Sequence, residues 1–106
     1  MKKLTKPNFK IIQGSSGTNF SLNISLEYLI KKLGKPTQIG SGDNKIQLEW
    51  DFIDNQKVLT IYDYKENKPI HKINYWHIGS KNILNKEIQI ELEKMGFIPK
   101  FEIKFN

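Results

Sequence analysis

The sequence predicts an α+β domain in which an antiparallel sheet of about four to six strands is covered on one face by one or two helices. Two patterns support this fold class. Residues 46–52 alternate strictly between apolar and polar side chains, which is typical of a half-buried strand, and a β-branched and aromatic run follows at residues 58–65. Residues 25–33 instead carry apolar side chains at helical spacing. We therefore expect a sheet and at least one helix to share a core.

The centre of the predicted sheet comprises three strands, at residues 46–54, 57–65 and 70–78. The first two are separated by a polar group that favours tight turns, so they are predicted to form a hairpin. The third strand follows the breaker residues 66–69 and ends before Gly79. This central segment contains both tryptophans and both histidines of the chain.

The clearest predicted helix begins after Ser25, its expected N-cap, and ends at Gly34. Its apolar stripe consists of Leu26, Leu29, Ile30 and Leu33. Because this stripe needs an apolar partner, we expect it to pack on the sheet face that carries Ile46, Leu48 and Phe52. The opposite face of the sheet is then left for binding.

The segment before this helix gives weaker patterns. Residues 1–8 are expected to form a flexible basic arm, followed by a short strand at residues 9–13. Another strand is predicted at residues 20–24, where apolar and polar side chains alternate. The glycine-rich stretches at residues 14–17 and 39–44 are interpreted as loops rather than as ligand clamps.

A second helix is predicted over residues 83–95, with Ser80 or Asn82 as its cap and Gly96 as its stop. A strand remains open there, because alternate residues of the same run are apolar as well: Ile88, Ile90 and Leu92. Near the end of the chain, an edge strand is predicted by a second alternating set: Phe101, Ile103 and Phe105.

The composition limits the classes of protein and of ligand. The chain of 106 residues is predicted to form a single domain. It has no cysteine and no run of about 18 apolar residues, which predicts a cytoplasmic protein without disulfides. The formal charge of +6 favours anionic partners. All 17 basic residues are lysines, so no arginine is available for bidentate contacts to phosphate or guanine.

The sequence carries no catalytic or metal-binding motif. His71 and His77 would lie about 20 Å apart in one strand, too far to share a metal ion. Among candidates for acid–base chemistry, Glu49 and Asp51 are interpreted as solvated carboxylates on the polar face of their strand. Asp63 falls on an apolar face and is interpreted as a buried hydrogen-bond anchor, with His77 or a backbone turn as its partner. We therefore predict no enzyme, no catalytic residue, no metal and no cofactor.

Aromatic side chains and lysines in the central segment favour a binding function instead. Aromatic rings can stack on bases while lysines attract phosphate. Lys81 is expected at the start of the second helix, where free backbone N–H groups favour an anion. The candidate ligand- and partner-binding residues are Trp50, Tyr62, Tyr64, Lys65, Trp76, His77, Ser80 and Lys81.

Three motifs of the central segment resemble those of a group of small bacteriophage accessory proteins of uncharacterised role. The motifs are Glu49-Trp50, Thr60-Ile61-Tyr62-Asp63-Tyr64-Lys65 and Trp76-His77-Ile78-Gly79. In that group they read approximately E-W, T-I-Y-[DN]-[WY]-K and W-H-[IV]-G. The last glycine is commonly followed by a second glycine, where this chain has Ser80. The resemblance covers residues 18–82.

The resemblance implies a phage or prophage product that blunts host defence. The first hypothesis is an anti-defence protein of the anti-CRISPR kind, which binds a host effector that handles nucleic acid, or that effector's nucleic acid, in the host cytoplasm. A second hypothesis is a sponge that sequesters a nucleotide immune signal, for which a homo-oligomer would be favourable. A third is a module that binds single-stranded nucleic acid. None of these hypotheses involves a membrane.

Overall fold

A computed structural model of the protein describes residues 1–40 and 45–103 and shows an antiparallel sheet with helices beside it. The elements in chain order are β1 (Lys2–Lys3), α1 (Phe9–Ile12), β2 (Ser16–Leu22), α2 (Leu26–Leu33), β3 (Gln38–Ile39), β4 (Leu48–Asp54), β5 (Lys57–Tyr62), a 3₁₀ turn (Ile70–Lys72), β6 (Trp76–Lys81), α3 (Asn85–Lys94) and β7 (Lys100–Phe101). The predicted α+β fold class is therefore confirmed.

The strand order across the sheet is β1-β4-β5-β6-β2-β7, and β3 also pairs with β4. β1 and β3 lie along the same outer edge of β4, β1 near its end and β3 near its beginning. The sheet is built mainly from β2, β4, β5 and β6, because the other strands described have only two residues each. Every one of these pairings is antiparallel.

The predicted hairpin at the centre is confirmed. β4 and β5 pair from Glu49 opposite Tyr62 to Asp54 opposite Lys57. Asn55 begins the two-residue connection with φ of 57°, a left-handed conformation that asparagine tolerates better than most residues. Strict alternation along β4 then determines which side chains lie on each face of the sheet.

The two faces of the sheet differ in what covers them. The face that we call the helical face carries a set of buried apolar side chains: Leu48, Trp50, Phe52, Leu59, Ile61, Trp76 and Ile78. They pack in one core with Leu29 of α2 and with Ile88 and Leu92 of α3. The opposite face, which we call the tyrosine face, carries Tyr62 and the residues in phase with it. α1 lies on this second face.

The predicted helix over residues 25–33 is confirmed, but two details of its packing are wrong. Ser25 caps α2 by accepting a hydrogen bond from the Tyr28 N–H, as expected. Ile30, however, is 45% exposed, because the buried stripe is narrower than the sequence pattern and centres on Leu29. Ile46 precedes β4 and borders a cleft on the tyrosine face, so it does not pack under α2.

The prediction of a third strand over residues 70–78 is wrong in its first half. In a strand, Ile70 and Ile73 would face opposite sides of the sheet, whereas a 3₁₀ turn places residues i and i+3 on the same side. The turn allows both to pack against the core, and Ile73 is fully buried there. β6 starts only at Trp76 and extends past Gly79 to Lys81. His71 and His77 consequently do not share a strand.

The expected strand at residues 9–13 is also wrong, because this segment forms α1. Asn8 caps the helix, and its side-chain oxygen accepts a hydrogen bond from the Ile11 N–H at 3.3 Å. The expected loop at residues 14–17 is shorter than predicted, since β2 begins at Ser16 and ends at Leu22. The loop predicted at residues 39–44 falls largely outside the described residues.

The N-terminal residues are tied to the domain more closely than the expected flexible arm over residues 1–8. Lys2 and Lys3 form β1, and the Leu4 N–H donates to the carbonyl of Asp51 at 2.8 Å. The Lys3 ammonium donates to the carbonyls of Leu33 and Lys35, at 2.6 and 2.9 Å. This lysine therefore satisfies carbonyl groups at the C-terminal end of α2.

The second predicted helix is confirmed as α3, but its predicted caps are wrong. Ser80 lies in β6, and the Asn82 side chain donates to the Gln56 carbonyl. The helix starts after Leu84, whose N–H donates to the Glu87 carboxylate at 3.5 Å.

The predicted edge strand appears as β7, where the ring of Phe101 packs 4.8 Å from that of Phe20. Residues 104–106 lie outside the described residues.

Within residues 1–40 and 45–103, none of the helices is long and apolar enough to cross a membrane.

Candidate ligand-binding cleft

The two tryptophans are core residues, and their predicted role in binding is wrong. Trp50 and Trp76 have no exposed surface, and their rings meet edge to face at 5.6 Å. Trp50 Nε1 donates to the carbonyl of Gly34, and Trp76 Nε1 donates to the carbonyl of Ile24. Both hydrogen bonds connect the sheet to the ends of α2. Neither ring can contact a ligand from this position.

Three of the predicted residues come together on the tyrosine face. The ring of His77 stacks on Tyr62 at 5.6 Å and meets Tyr64 edge to face at 6.0 Å. Tyr75, which the sequence reasoning left out of the site, contacts the same imidazole at 5.1 Å. Lys65 adds a positive charge, because its ammonium lies 5.2 Å from the centre of the Tyr64 ring.

The last two predicted residues lie apart from this aromatic group. Ser80 is on the helical face of β6, opposite Leu59. Lys81 lies in β6 and not at the start of α3, so its predicted place at a helix N-terminus is wrong. Its ammonium donates to the carbonyl of Ile11 at 3.1 Å, which fastens α1 to the sheet. This lysine therefore has a structural role in holding α1.

An open cleft of about 320 Å³ lies on the tyrosine face, between the segment that follows α1 and the strands β4, β5 and β6. Its lining residues are Ile12, Ser15, Ser16, Gly17, Ile46, Glu49, Thr60, Tyr62, Tyr64 and Gly79. A space of this order holds an amino-acid side chain or a small organic molecule. The sequence analysis identified only Tyr62 and Tyr64 among these residues as candidates for binding.

Glycine at position 79 is required by the close packing of this cleft. A Cβ atom there would lie 2.5 Å from Thr60 Oγ1 and 3.2 Å from a ring carbon of Tyr62. Gly17 of β2 lies directly opposite Gly79, and a Cβ on it would be 3.5 Å from the Tyr62 hydroxyl. The two facing glycines therefore provide the space in which the Tyr62 ring lies across the sheet.

Two carboxyl groups stand at one wall of the cleft. Glu49 lines it, and Asp51, two residues further along the same face of β4, is completely buried. The two side chains form a hydrogen bond with each other, which requires that the pair holds a proton. Burial, together with smaller contributions from the hydrogen bond and charge of Asp51, raises the pKa of Glu49 to about 9. Burial also raises the pKa of Asp51.

The surroundings hold Asp51 in place by its backbone and leave its carboxyl oxygens without other partners. Its N–H donates to Thr37 Oγ1 at 3.0 Å, and its carbonyl accepts from the Leu4 N–H. Apart from protonated Glu49, no donor from the part of the chain that the structure describes reaches either carboxyl oxygen. The interpretation of Glu49 and Asp51 as solvated carboxylates is therefore wrong.

The two carboxyl groups do not resemble the pair in a glycosidase, whose members stand about 5–9.5 Å apart on either side of the bond that they cleave. Glu49 and Asp51 instead lie on one face of the same strand, β4. Among the described residues, moreover, no three His, Asp or Glu side chains come together as metal ligands. Burial also raises the pKa of the Tyr62 hydroxyl, which keeps it a neutral donor beside Glu49.

Asp63 is buried as predicted and lies outside the cleft. Its Oδ1 atom accepts hydrogen bonds from the N–H groups of Gln47 and Leu48, both at 2.9 Å. Of the two partners considered from the sequence, the backbone turn is therefore the one present. This carboxyl fixes the start of β4 and thereby the position of Glu49.

The residues that the sequence analysis missed could not be found from local patterns. Glu49 was visible as a polar residue of β4, but nothing nearby in the sequence showed that residues 9–17 fold back over it. The only local signal was the pair of small residues Gly17 and Gly79, which permit close approach of another group. Their pairing in the sheet depends on the register of β2 against β6.

Comparisons with protein family models, with curated proteins and with solved structures find no match to this chain. The fold and the cleft define a small α+β domain with an acidic, tyrosine-walled site on one sheet face. Its function is therefore inferred from the chemistry of that site.

The carboxyl pair predicts an unusual dependence of stability on pH. Because the folded pair keeps a proton that the unfolded carboxyls release near pH 4, stability should fall as the pH rises from about 5 to about 9. Glu49→Gln should flatten this decline. Since one unit of pKa shift corresponds to about 1.4 kcal/mol, the variant should be more stable than the native chain at pH 8 by at least about 1 kcal/mol. Urea unfolding at several pH values measures both effects.

Glu93→Gln on the exposed surface of α3 is the control for this experiment, because it removes a carboxylate without touching the cleft. Its unfolding free energy should stay within about 0.5 kcal/mol of the native value at each pH. Parallel pH profiles for Glu49→Gln and the native chain would show that the pair does not hold a proton.

Proposed function

We propose that this protein is a non-enzymatic binding protein of the phage anti-defence kind, which inhibits a host effector that handles nucleic acid by binding the effector protein through the tyrosine face. The observation that supports this most directly is the open cleft, which combines exposed aromatic surface with hydrogen-bonding groups. Such a combination is typical of the anchor points of protein interfaces. α2 and α3 cover the opposite face of the sheet, so its core side chains cannot reach a partner.

The biological setting of this proposal comes from the motif resemblance. All three motifs contribute to the cleft lining: Glu49 belongs to the first, Tyr62 and Tyr64 to the second, and Gly79 to the third. The residues that carry the resemblance therefore include those that shape the proposed binding surface. A phage product that acts on a host effector of this kind would do so in the host cytoplasm.

The second candidate function is sequestration of a nucleotide signal. Tyr64 favours it, because this ring is 39% exposed at the cleft and has the Lys65 ammonium close by. A base could stack on the ring while the lysine contacts phosphate. Binding of extended single-stranded nucleic acid is less well supported, because burial of Trp50 and Trp76 removes the largest rings of the expected platform.

A pair of matched tyrosine variants tests the proposed face. Tyr64→Ala should reduce recovery of the partner from lysate of a phage-sensitive host at least about tenfold, which corresponds to losing about 1.4 kcal/mol of binding energy. Tyr28→Ala on α2 is the control. Tyr28 is 38% exposed and also has a lysine ammonium near its ring, so it resembles Tyr64 in everything but position.

Affinity capture with mass spectrometry of the retained proteins measures the effect. Both variants should keep the native unfolding midpoint within experimental error, because both side chains are partly exposed. Equal loss of capture in the two variants, or loss only in Tyr28→Ala, would show that the partner does not bind through the tyrosine face. Recovery of no host protein by the native chain would contradict the proposal itself.

A further inference from the structure

The cleft is acidic although the protein as a whole is basic. The chain carries 17 lysines and a formal charge of +6, yet no lysine is among the residues that line the cleft where the structure describes them. Among the described residues of the lining, Glu49 is the one carboxyl group, and Asp51 follows two residues later on the same face of β4. Within the cleft an anionic ligand would therefore meet a carboxyl group and tyrosine hydroxyls, while the Lys65 ammonium lies near the Tyr64 ring.

The carboxyl pair has unused capacity to accept hydrogen bonds. Asp51 is completely buried, and within the described part of the protein its oxygens receive no donor other than protonated Glu49. Buried carboxyl oxygens are normally paired, because an unpaired buried polar group costs about 1–3 kcal/mol. The proton shared with Glu49 gives these oxygens one hydrogen bond. A positively charged donor from outside the protein would give the carboxyl pair further hydrogen bonds.

We propose that the cleft binds a guanidinium group, supplied by an arginine side chain of the partner protein, with Glu49 as its counter-ion and the rings of Tyr62 and Tyr64 beside it. This inference rests on the proposed function, because it specifies which group of the partner enters the cleft. A guanidinium matches a carboxylate with two parallel hydrogen bonds and packs well on aromatic rings. Proteins that bind nucleic acid expose arginines on the surfaces that contact phosphate.

The net positive charge of the protein does not prevent such a contact. At physiological ionic strength, charges separated by more than about 8 Å are largely screened, whereas the cleft contact is made at hydrogen-bond distance. The chain contains no arginine, so it cannot supply this group to its own cleft. The absence of lysines from the lining leaves the carboxyl accessible to a cation from outside.

Binding of the cation displaces the shared proton. The guanidinium keeps its own protons, while the carboxyl O–H bond of the pair breaks and its proton passes to water or buffer. Other ionisable groups face the pair or its surroundings: Tyr62 on β5, Tyr64 after β5, and His77 on β6, which contacts both tyrosines. Measurements above pH 7.5 avoid the ordinary titration range of histidine.

The test uses the full chain and two amino-acid amides of nearly the same shape, which differ in charge and in one hydrogen-bonding group. N-acetylarginine amide carries the guanidinium, and N-acetylcitrulline amide carries a neutral group of the same shape. We expect the arginine compound to bind with a Kd on the order of millimolar by calorimetry, and the citrulline compound to bind at least about tenfold more weakly. The affinity for the arginine compound should rise by up to about tenfold per pH unit between pH 7.5 and 8.5.

Variants locate the site. Glu49→Gln should abolish binding of the arginine compound, whereas Glu93→Gln on α3 should leave it unchanged. Equal affinity for arginine and citrulline, or an affinity that does not change with pH, would overturn the inference. Preferential binding of adenosine monophosphate would also overturn it, in favour of the nucleotide candidate.

The outcome separates this inference from the proposed function. If the native chain captures a host protein and Glu49→Gln captures it equally well, the function stands and the guanidinium site is refuted. If the arginine compound binds as expected but no host protein is captured, the site stands and the proposed partner class is refuted.

A third arm with N-acetyllysine amide should show weaker binding than arginine, because an ammonium cannot form the bidentate contact.

Discussion

Replacement of Trp50 by alanine is expected to lower the free energy of unfolding by about 3–5 kcal/mol, because it leaves a large cavity in the core. The indole is completely buried and packs edge to face against Trp76. Its loss also removes the donor to the Gly34 carbonyl at the end of α2. A domain of this size has a total stability of about 5–15 kcal/mol, so the variant should lose a large part of it. Urea unfolding followed by far-ultraviolet circular dichroism measures the change.

Trp50→Phe is the matched control, because it keeps most of the buried ring and removes the hydrogen bond. We expect it to cost about 1–2 kcal/mol, from the unpaired Gly34 carbonyl and the smaller volume. Partner capture by Trp50→Phe should be unchanged, since Trp50 lies on the helical face. A Trp50→Ala protein within 1 kcal/mol of the native chain would contradict the burial of this residue.

The elements that could be predicted from the sequence are those whose cause is local. The alternation along β4 and the turn residues after it specify the hairpin without reference to the rest of the chain. The N-cap serine, apolar stripe and terminal glycine specify α2 in the same way. Asp63 was recognised as buried because it is in phase with Leu59 and Ile61, and this phase is a property of one strand.

The environment of the carboxyl pair could not be predicted, because it depends on contacts distant in sequence. Alternation places Glu49 and Asp51 on one face, but it does not show whether water or protein covers that face. Thr37 and Leu4 approach the backbone of Asp51, and the segment after α1 borders Glu49. These contacts exist only once the N-terminal residues have folded across β4.

The two tryptophans show that residue type alone does not decide whether a side chain of a strand is buried or exposed. An aromatic residue in an alternating strand can belong to the core or to an exposed platform, and its chemistry suits both. Trp50 and Trp76 each place the indole N–H on a carbonyl at one end of α2, which only the tertiary structure reveals. The proposed binding surface therefore uses the smaller tyrosine rings, which are in phase with Glu49 and not with Trp50.

Replacement of Asp63 by alanine is expected to destabilise the protein by about 2–5 kcal/mol, because it leaves one buried and one partly buried N–H group without an acceptor. Asp63 Oδ1 accepts from Gln47 and Leu48, and the side chain has no exposed surface. Each unsatisfied buried donor costs about 1–3 kcal/mol. The damage should be concentrated at the start of β4, where hydrogen exchange of these two amides should accelerate more than exchange in β6.

Asp63→Asn is the control that separates the acceptor from the charge. The amide oxygen can take the position of Oδ1 and keep both backbone donors, so we expect a smaller loss of about 1–2 kcal/mol, because neutral acceptors bind more weakly than charged ones. Because Glu49 follows Leu48 in the chain, Asp63→Ala should also weaken binding at the cleft more than Asp63→Asn does. If both variants lose stability equally, the carboxyl acts through its charge, and the two hydrogen bonds to the start of β4 contribute little.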